Sequence, residues 1–298
     1  MKKILLNLYY KVLKIKDYFI IGYNKQLRKQ IKLKVIDTDK TMDKILEDKC
    51  SVSRFGDGEF GLLSGNNLIF QPYTKEIEER LNRIIIEENK NHIVCIPNIF
   101  DDLSIYTAKA QVYWNKYLNL NYHRFVKKLN KRRKYYDALV TRVYMDTFNK
   151  ENVGMRFKKL QKMWEDKNIV IVEGNRSRLG IGNDLFSNAN TIKRIIAPSH
   201  DAFSSYQDIL EEVKKQQRDR LILIALGPTA TILAYDLAQI GYQAIDIGHI
   251  DIEYEWFLQG ATEKVPVKNK YIGEIEGGSK VDELNDRCYE EQIIAVIK

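Results

Sequence analysis

The run Arg54-Phe55-Gly56-Asp57-Gly58-Glu59 sets two carboxylates two residues apart, between glycines and just after an apolar stretch. In an extended segment, side chains i and i+2 share a side. Asp57 and Glu59 are therefore expected to face one hard divalent cation, which prefers oxygen ligands. Gly56 and Gly58 let a ligand come close to the backbone, and Arg54 offers a planar fork to a phosphate. A cation held there would act as a Lewis acid, offsetting charge on a departing diphosphate. The plainer reading of the bare pair is a polar turn with solvated acids.

Four further stretches carry chemistry. Gly174, Asn175, Ser177, Arg178, Gly180, Gly182 and Asn183 follow the apolar run 168–172, in a loop expected to lead into a helix. Glycines, a hydroxyl and a guanidinium near a helix start suit phosphate and ribose groups. Gly227, Pro228 and Thr229 make a helix start whose free amides attract anions; ordinary capping explains them equally. His249, Asp251, Glu253 and Glu255, after the run ending at Ile247, are candidates for a general base or further ligands. Tyr254 and Trp256 beside them could stack on a sugar or base. Acids at a helix N-terminus are also favourable without any catalytic task. Finally, Lys116 to Lys134 holds Arg124, Lys127, Lys128, Lys131, Arg132 and Arg133 among tyrosines. Such a run serves nucleic acid, a membrane surface, the diphosphate of a lipid-linked acceptor, or only a solvated helix face.

The elements that must position these residues follow from hydrophobic period. Helices are expected at 38–48, 74–89, 103–118, 122–134, 204–217, 229–240 and 250–258. Strands are expected at 52–55, 92–96, 138–144, 168–172, 192–197, 221–226 and 242–247. Strands apolar throughout, alternating with helices, imply an α/β fold with a mainly parallel, doubly wound sheet. Ligands in such sheets collect at the carboxyl ends of the strands, which selects the loops at 55–65, 173–183, 227–229 and 248–255.

The chain has 298 residues, 44% of them hydrophobic and 30% charged, which fits one sizeable globular body and excludes a disordered chain. Cys50, Cys95 and Cys288 are odd in number and widely spaced, which suits reduced thiols in a cytoplasmic setting. Cys95, inside an apolar run, is expected to pack in the core. Residues 1–35 hold ten basic side chains against Asp17, more than the whole chain's net charge of +8. The body at 36–298, expected to be a single domain, is thus close to neutral, which argues against a nucleic-acid partner. The arm carries Leu5, Leu8, Tyr9, Val12, Leu13, Ile15, Phe19 and Ile20 at helical spacing. Its lysines interrupt any membrane-spanning stretch. A basic amphipathic helix is expected to lie on the inner membrane face, or to pack on the body or a second copy in a homo-oligomer.

Four motifs in order, R-F-G-D-G-E at 54–59, G-N-R-S-R-L-G-I-G-N-D-L at 174–185, G-P-T-A at 227–230 and D-I-G-H-I-D-I-E-Y-E-W at 246–256, resemble bacterial glycosyltransferases of the GT-D fold. The resemblance runs from about Asp48 to Glu274. It implies a Rossmann-like domain, a UDP-sugar donor and a metal, usually manganese (or magnesium), on a D-x-E motif matching Asp57 and Glu59. It implies a glycan acceptor on protein or lipid carrier, and a catalytic base among Asp251, Glu253, Glu255 and Glu274. The simplest transfer is one displacement that inverts the anomeric carbon. A nicotinamide- or methyl-donor-dependent enzyme of similar architecture is the rival, and it leaves Asp57 and Glu59 without a role.

Overall fold

The computed structural model describes residues 2–278 and 281–298, with side chains from Lys14 onward. The arm positions Leu5, Leu8, Tyr9, Val12 and Leu13 thus lie outside the described side chains. In chain order the elements are α1 (Lys2–Gln30), β1 (Val35–Ile36), α2 (Thr38–Asp48), β2 (Ser51–Arg54), α3 (Asp57–Leu62), α4 (Lys75–Ile86), β3 (His92–Ile96), α5 (Ala108–Lys128) and β4 (Tyr135–Asp137). There follow α6 (Val153–Gln161), β5 (Asn168–Gly174), β6 (Thr191–Ala197), α7 (Tyr206–Lys214), β7 (Leu221–Ala225), α8 (Pro228–Gln239), β8 (Gln243–Asp246), α9 (Ile250–Leu258), α10 (Arg287–Gln292) and β9 (Ile293–Val296).

Local chemistry explains several boundaries. Asp37 caps α2 by accepting from the Lys40 amide, and Thr74 caps α4 by accepting from Ile77. Ile77, Leu81, Ile84 and Ile85 form the buried stripe of α4. Pro228 opens α8 at its first helical position.

The strands form one parallel sheet in the order β1-β4-β3-β2-β8-β7-β5-β6-β9. Helices cover both faces, and the apolar core is split accordingly. One layer packs Ile77, Leu81, Leu118, Ile209 and Leu233 from α4, α5, α7 and α8. The other packs Met42, Phe157, Ile252 and Trp256 from α2, α6 and α9. Chain leaving β2 and β7 therefore turns onto one face, and chain leaving β8 turns onto the other. The carboxyl ends of β2, β8 and β7 are adjacent, so a crevice opens between them, where doubly wound folds bind ligands.

Three expected elements differ. The two helices expected at 103–118 and 122–134 are one helix, α5. The Asn119–Asn121 region reads as a break, but Leu118, Tyr122 and Phe125 are all buried at helical spacing, and burial outweighs weak local propensity. The strand expected at 138–144 is instead the short β4 followed by a 3₁₀ turn at Ala138–Thr141. The loop after β5 does not enter a helix; it runs as turns to β6. β1, α3, α6, α10 and β9 were not expected.

Candidate active site at the carboxyl edge of the sheet

Arg54 ends β2, and its side chain is pinned. Nε donates to the Ala138 carbonyl at 3.0 Å and Nη1 donates to the Thr141 hydroxyl. Its carbonyl accepts from Thr231 of α8 at 2.7 Å. Across the crevice, Gly248 follows β8 with φ +46, and a Cβ there would sit 2.5 Å from Arg54 Nη1. Only glycine lets the β8 loop close over this guanidinium.

Asp57 and Glu59 are the first and third residues of α3, not neighbours on an extended strand. Strand alternation thus does not align them, which corrects the expected geometry. Glycine at 56 lets the chain turn into the helix immediately, and the Gly56 amide donates to Glu59 Oε2 at 2.6 Å. Asp57 is exposed, accepting from the Tyr113 hydroxyl of α5. Tyr117, one turn on, lies 3.5 Å from the Asp57 carbonyl. Burial, with the charges of Asp246 and Asp57 adding to it, raises Glu59 to about 7. Burial likewise raises Asp246, at the end of β8, to about 6 against the pull of Arg54. A group of carboxylates that repel one another in a partly dry crevice is a donor set that a divalent cation would relieve. Among the described residues no three His, Cys, Asp or Glu side chains converge on one point, so a cation would complete its shell from a ligand's oxygens and water.

His249 and Glu274 form the opposite wall. Arg142 grips Glu274 with two hydrogen bonds, 2.5 and 2.9 Å, and Lys264 adds a third at 2.6 Å. Although partial burial opposes it, these cations hold Glu274 far below the ordinary carboxylate range. His249 Nε2 lies 3.6 Å from Glu274, its side chain 38% exposed. Desolvation lowers its pKa to about 4, with Glu274 pulling it up and Arg142, Arg54 and Lys264 adding to the fall, which favours the neutral imidazole.

The other predicted bases are held inside the protein. Glu253 is fully buried and accepts from the amides of Tyr144 and Met145 at 2.9 and 2.8 Å. Asp251 accepts from the Gly180 amide and the Asn183 side chain, both 2.8 Å, and from Lys270 at 2.6 Å. Glu255 accepts from the same Asn183 and Lys270 groups at 2.7 and 3.0 Å. The expected anion loop is thus largely spent on structure. Arg178 donates to the carbonyls of Asn269 and Asp282, not outward to a phosphate. The Asn175 amide donates to Ala197 and the Ser177 amide to Gly174. Gly182 lies in the same turn with no atom within 4 Å of a built Cβ.

Gly227 and Pro228 begin α8 beside the crevice, where Phe70 packs against Gly227. Thr229 is buried, 3.4 Å from Gln71. Gly58 faces Leu68 in the wall of a cavity of about 320 Å³ beside Asp57. Asn66, Asn67, Tyr117, Asn121 and Arg124 also line it. The structure therefore brings Arg54, Asp57, Glu59, Gly227, His249 and Glu274 to one edge, and sets Asp251, Glu253 and Glu255 beneath it. Sequence reasoning missed Tyr113, Arg142, Lys264 and Lys270. The i, i+4 spacing of Tyr113 and Tyr117 inside the helix expected at 103–118 was the available signal, but nothing in the sequence ties that helix to Asp57.

A family profile described as "Glycosyltransferase GT-D fold" matches residues 52–275. The chain is 40% identical over 266 residues to Glycosyltransferase GlyD of Streptococcus pneumoniae serotype 4 (strain ATCC BAA-334 / TIGR4), covering 89% of this chain and 33% of that protein. It is 39% identical over 264 residues to a probable glycosyl transferase Gly of Streptococcus gordonii, covering 88% and 39%. The chain thus spans between a third and two fifths of the length of these relatives. A solved structure described as a new glycosyltransferase (DUF1792) from Streptococcus sanguinis superposes with a TM-score of 0.85 at 38% identity, covering 89% of this chain and all of that one. Another, described as the domain of unknown function 1792 with a distinct glycosyltransferase fold, gives 0.86 at 36% identity over 95% of this chain and all of that one.

Proposed function

The chain belongs to the glycosyltransferase GT-D fold family, and on that premise we propose that it moves a hexose from a UDP-sugar to a hydroxyl of a glycan acceptor. A manganese or magnesium ion would be held by Asp57 and Glu59. The observation that carries this reading is the placement of Asp57 and Glu59 in the first turn of α3, directly after the pinned Arg54 that ends β2. The cation supplies charge neutralisation for the diphosphate when bound.

The protein's own groups do the rest. The α8 N-terminus, where Pro228 has no amide hydrogen and the Ala230 amide is bonded to the Gly227 carbonyl, would offer the positive end of its dipole to phosphate oxygens. Tyr113 fixes the Asp57 carboxylate by a hydrogen bond. The cavity beside Asp57, with its amide side chains and Tyr117, is the space for a sugar ring. The acceptor hydroxyl gives its proton to the neutral imidazole of His249, and ionised Glu274 stabilises the cation that forms. The acceptor oxygen bonds to the anomeric carbon as the bond to the diphosphate breaks, and UDP leaves. One displacement inverts the anomeric centre; a product of retained configuration would rule that out.

The test is a panel of UDP-sugars with the purified protein, with and without Mn²⁺, beside an Asp57→Ala/Glu59→Ala variant. Metal-dependent UDP release from one donor, lost in the variant, is expected. Absence of UDP binding with metal present would overturn the reading.

A further inference from the structure

We propose that α1 is a membrane-docking helix, packing one face on α5 and laying the opposite face, Ile15, Tyr18, Phe19 and Tyr23, on an anionic phospholipid surface. The inner face is fixed by specific contacts. Asn24 is fully buried, donating to the Asn119 carbonyl and accepting from the His123 amide, at 2.8 and 2.9 Å. Just beyond α1, Tyr122 donates to the Ile31 carbonyl, and Arg28 lies over its ring. Leu27 packs against the core.

The outer face is apolar, and at its edge the Tyr23 ring lies 6.4 Å from the His123 ring of α5. Ile15, Tyr18, Phe19 and Tyr23 are 57%, 76%, 69% and 57% exposed. At 3.6 residues per turn they share less than half the helix circumference, with Asn24 opposite and Leu27 at the flank. Exposed Lys14, Lys16, Lys25 and Lys29 border or interrupt this stripe. Asp17, the arm's one acid, falls on the far side. Aromatic rings with a polar tip favour the interfacial region, and bordering lysines reach headgroups while their stems stay apolar. The excess positive charge of the arm over a near-neutral body fits a surface of negative charge. No helix among the described residues is long and apolar enough to cross a membrane, so the contact lies in the interface.

α5 carries Asn119 and His123 at the arm and Tyr113 and Tyr117 at Asp57. If the glycosyltransferase reading holds, docking brings the crevice close to the bilayer and the acceptor is lipid-linked.

The full chain should cosediment with phosphatidylglycerol/phosphatidylcholine vesicles at least tenfold more strongly than with phosphatidylcholine alone, and added salt should weaken binding. Two triple variants, Ile15→Ser/Tyr18→Ser/Phe19→Ser and Lys14→Glu/Lys16→Glu/Lys25→Glu, should each lose at least tenfold in binding with unchanged thermal unfolding, because all six side chains are exposed. Unchanged vesicle binding in both variants, or none by the parent chain, overturns the proposal. So does a concentration-dependent dimer that the serine variant converts to monomer, which would mean that a second copy covers the stripe. The assay uses neither donor nor acceptor, so its failure leaves the glycosyltransferase reading standing, and failure of the donor panel leaves docking standing.

Discussion

Arg142 joins two carboxylates of different exposure: it grips Glu274 at the crevice wall through Nη1 and Nη2, and its Nε lies 3.7 Å from buried Glu253. Among the described residues neither Arg142 Nε nor Glu253 Oε1 has a hydrogen-bond partner. Glu253 accepts instead from two backbone amides after the 3₁₀ turn, so the guanidinium is located by a fixed point beneath the site.

Glu274→Gln keeps the shape but removes the charge beside His249. The expected result is a fall in kcat of about 10²-fold or more, with little change in KM for the donor. His249→Ala should match it, and the double variant should cost no more than either single, because the pair acts as a unit. Steady-state kinetics with the donor found active in the panel decide this; additive losses would separate the two residues.

Gly248→Ala should do more harm than its backbone angle explains. Gly241, at φ +91, also lies in the left-handed region, but its built Cβ meets nothing nearer than 3.7 Å. Gly241→Ala therefore reports strain alone, about 1 kcal/mol. Gly248→Ala adds a clash with the pinned Arg54 guanidinium. A larger stability loss in urea for Gly248→Ala than for Gly241→Ala, with UDP binding weakened only in Gly248→Ala, is expected.

His92 is buried, its Nε2 is 2.8 Å from the Ser53 hydroxyl, and burial lowers its pKa to about 3. The folded protein thus keeps His92 neutral while the unfolded chain, near 6.5, takes up a proton. Its contribution is whole above pH 6.5 and is lost progressively as the pH falls from there toward 3. The loss is about 1.4 kcal/mol per pH unit, near 2 kcal/mol at pH 5. Urea titrations at pH 7.5 and 5.0 should show this difference between the parent chain and His92→Gln. Glu59 and Asp246, raised in the folded state, oppose the slope equally in both proteins.

Glu173→Gln should destabilise the protein by about 3–5 kcal/mol, since it strands buried Arg194. Glu173 receives Arg194 Nη1 at 2.6 Å and the Leu179 amide at 2.7 Å. Faster hydrogen exchange in 175–183 should accompany the loss, because the same carboxylate holds that loop to the end of β5.

Strands and the carboxyl-edge loops were legible because apolar runs such as Leu221–Ala225 and Ile93–Ile96 leave little alternative to a covered parallel strand. The motif holding Asp57 and Glu59 was legible as chemistry, though its helical geometry was not: two glycines and a phenylalanine do not declare a helix. The acids of α9 misled for a different reason. Asp251, Glu253 and Glu255 look free in sequence, and only long-range partners, Lys270, Asn183 and the Tyr144 amide, reveal that their charge is already used. β1, at two residues, is too short for periodicity to register, and β9 alternates half-buried and exposed side chains at the sheet edge, without the buried run that marks the central strands.

That α5 is one unbroken helix has a mechanical consequence. Ten residues of α-helix, a rod of about 15 Å, separate Tyr113 at Asp57 from His123 at Asn24. Two helices joined by a loop would absorb a displacement at the arm. A rod instead passes a push or tilt on α1 to the hydroxyl that steadies Asp57, so load on the arm and the poise of the carboxylate are read by the same lever.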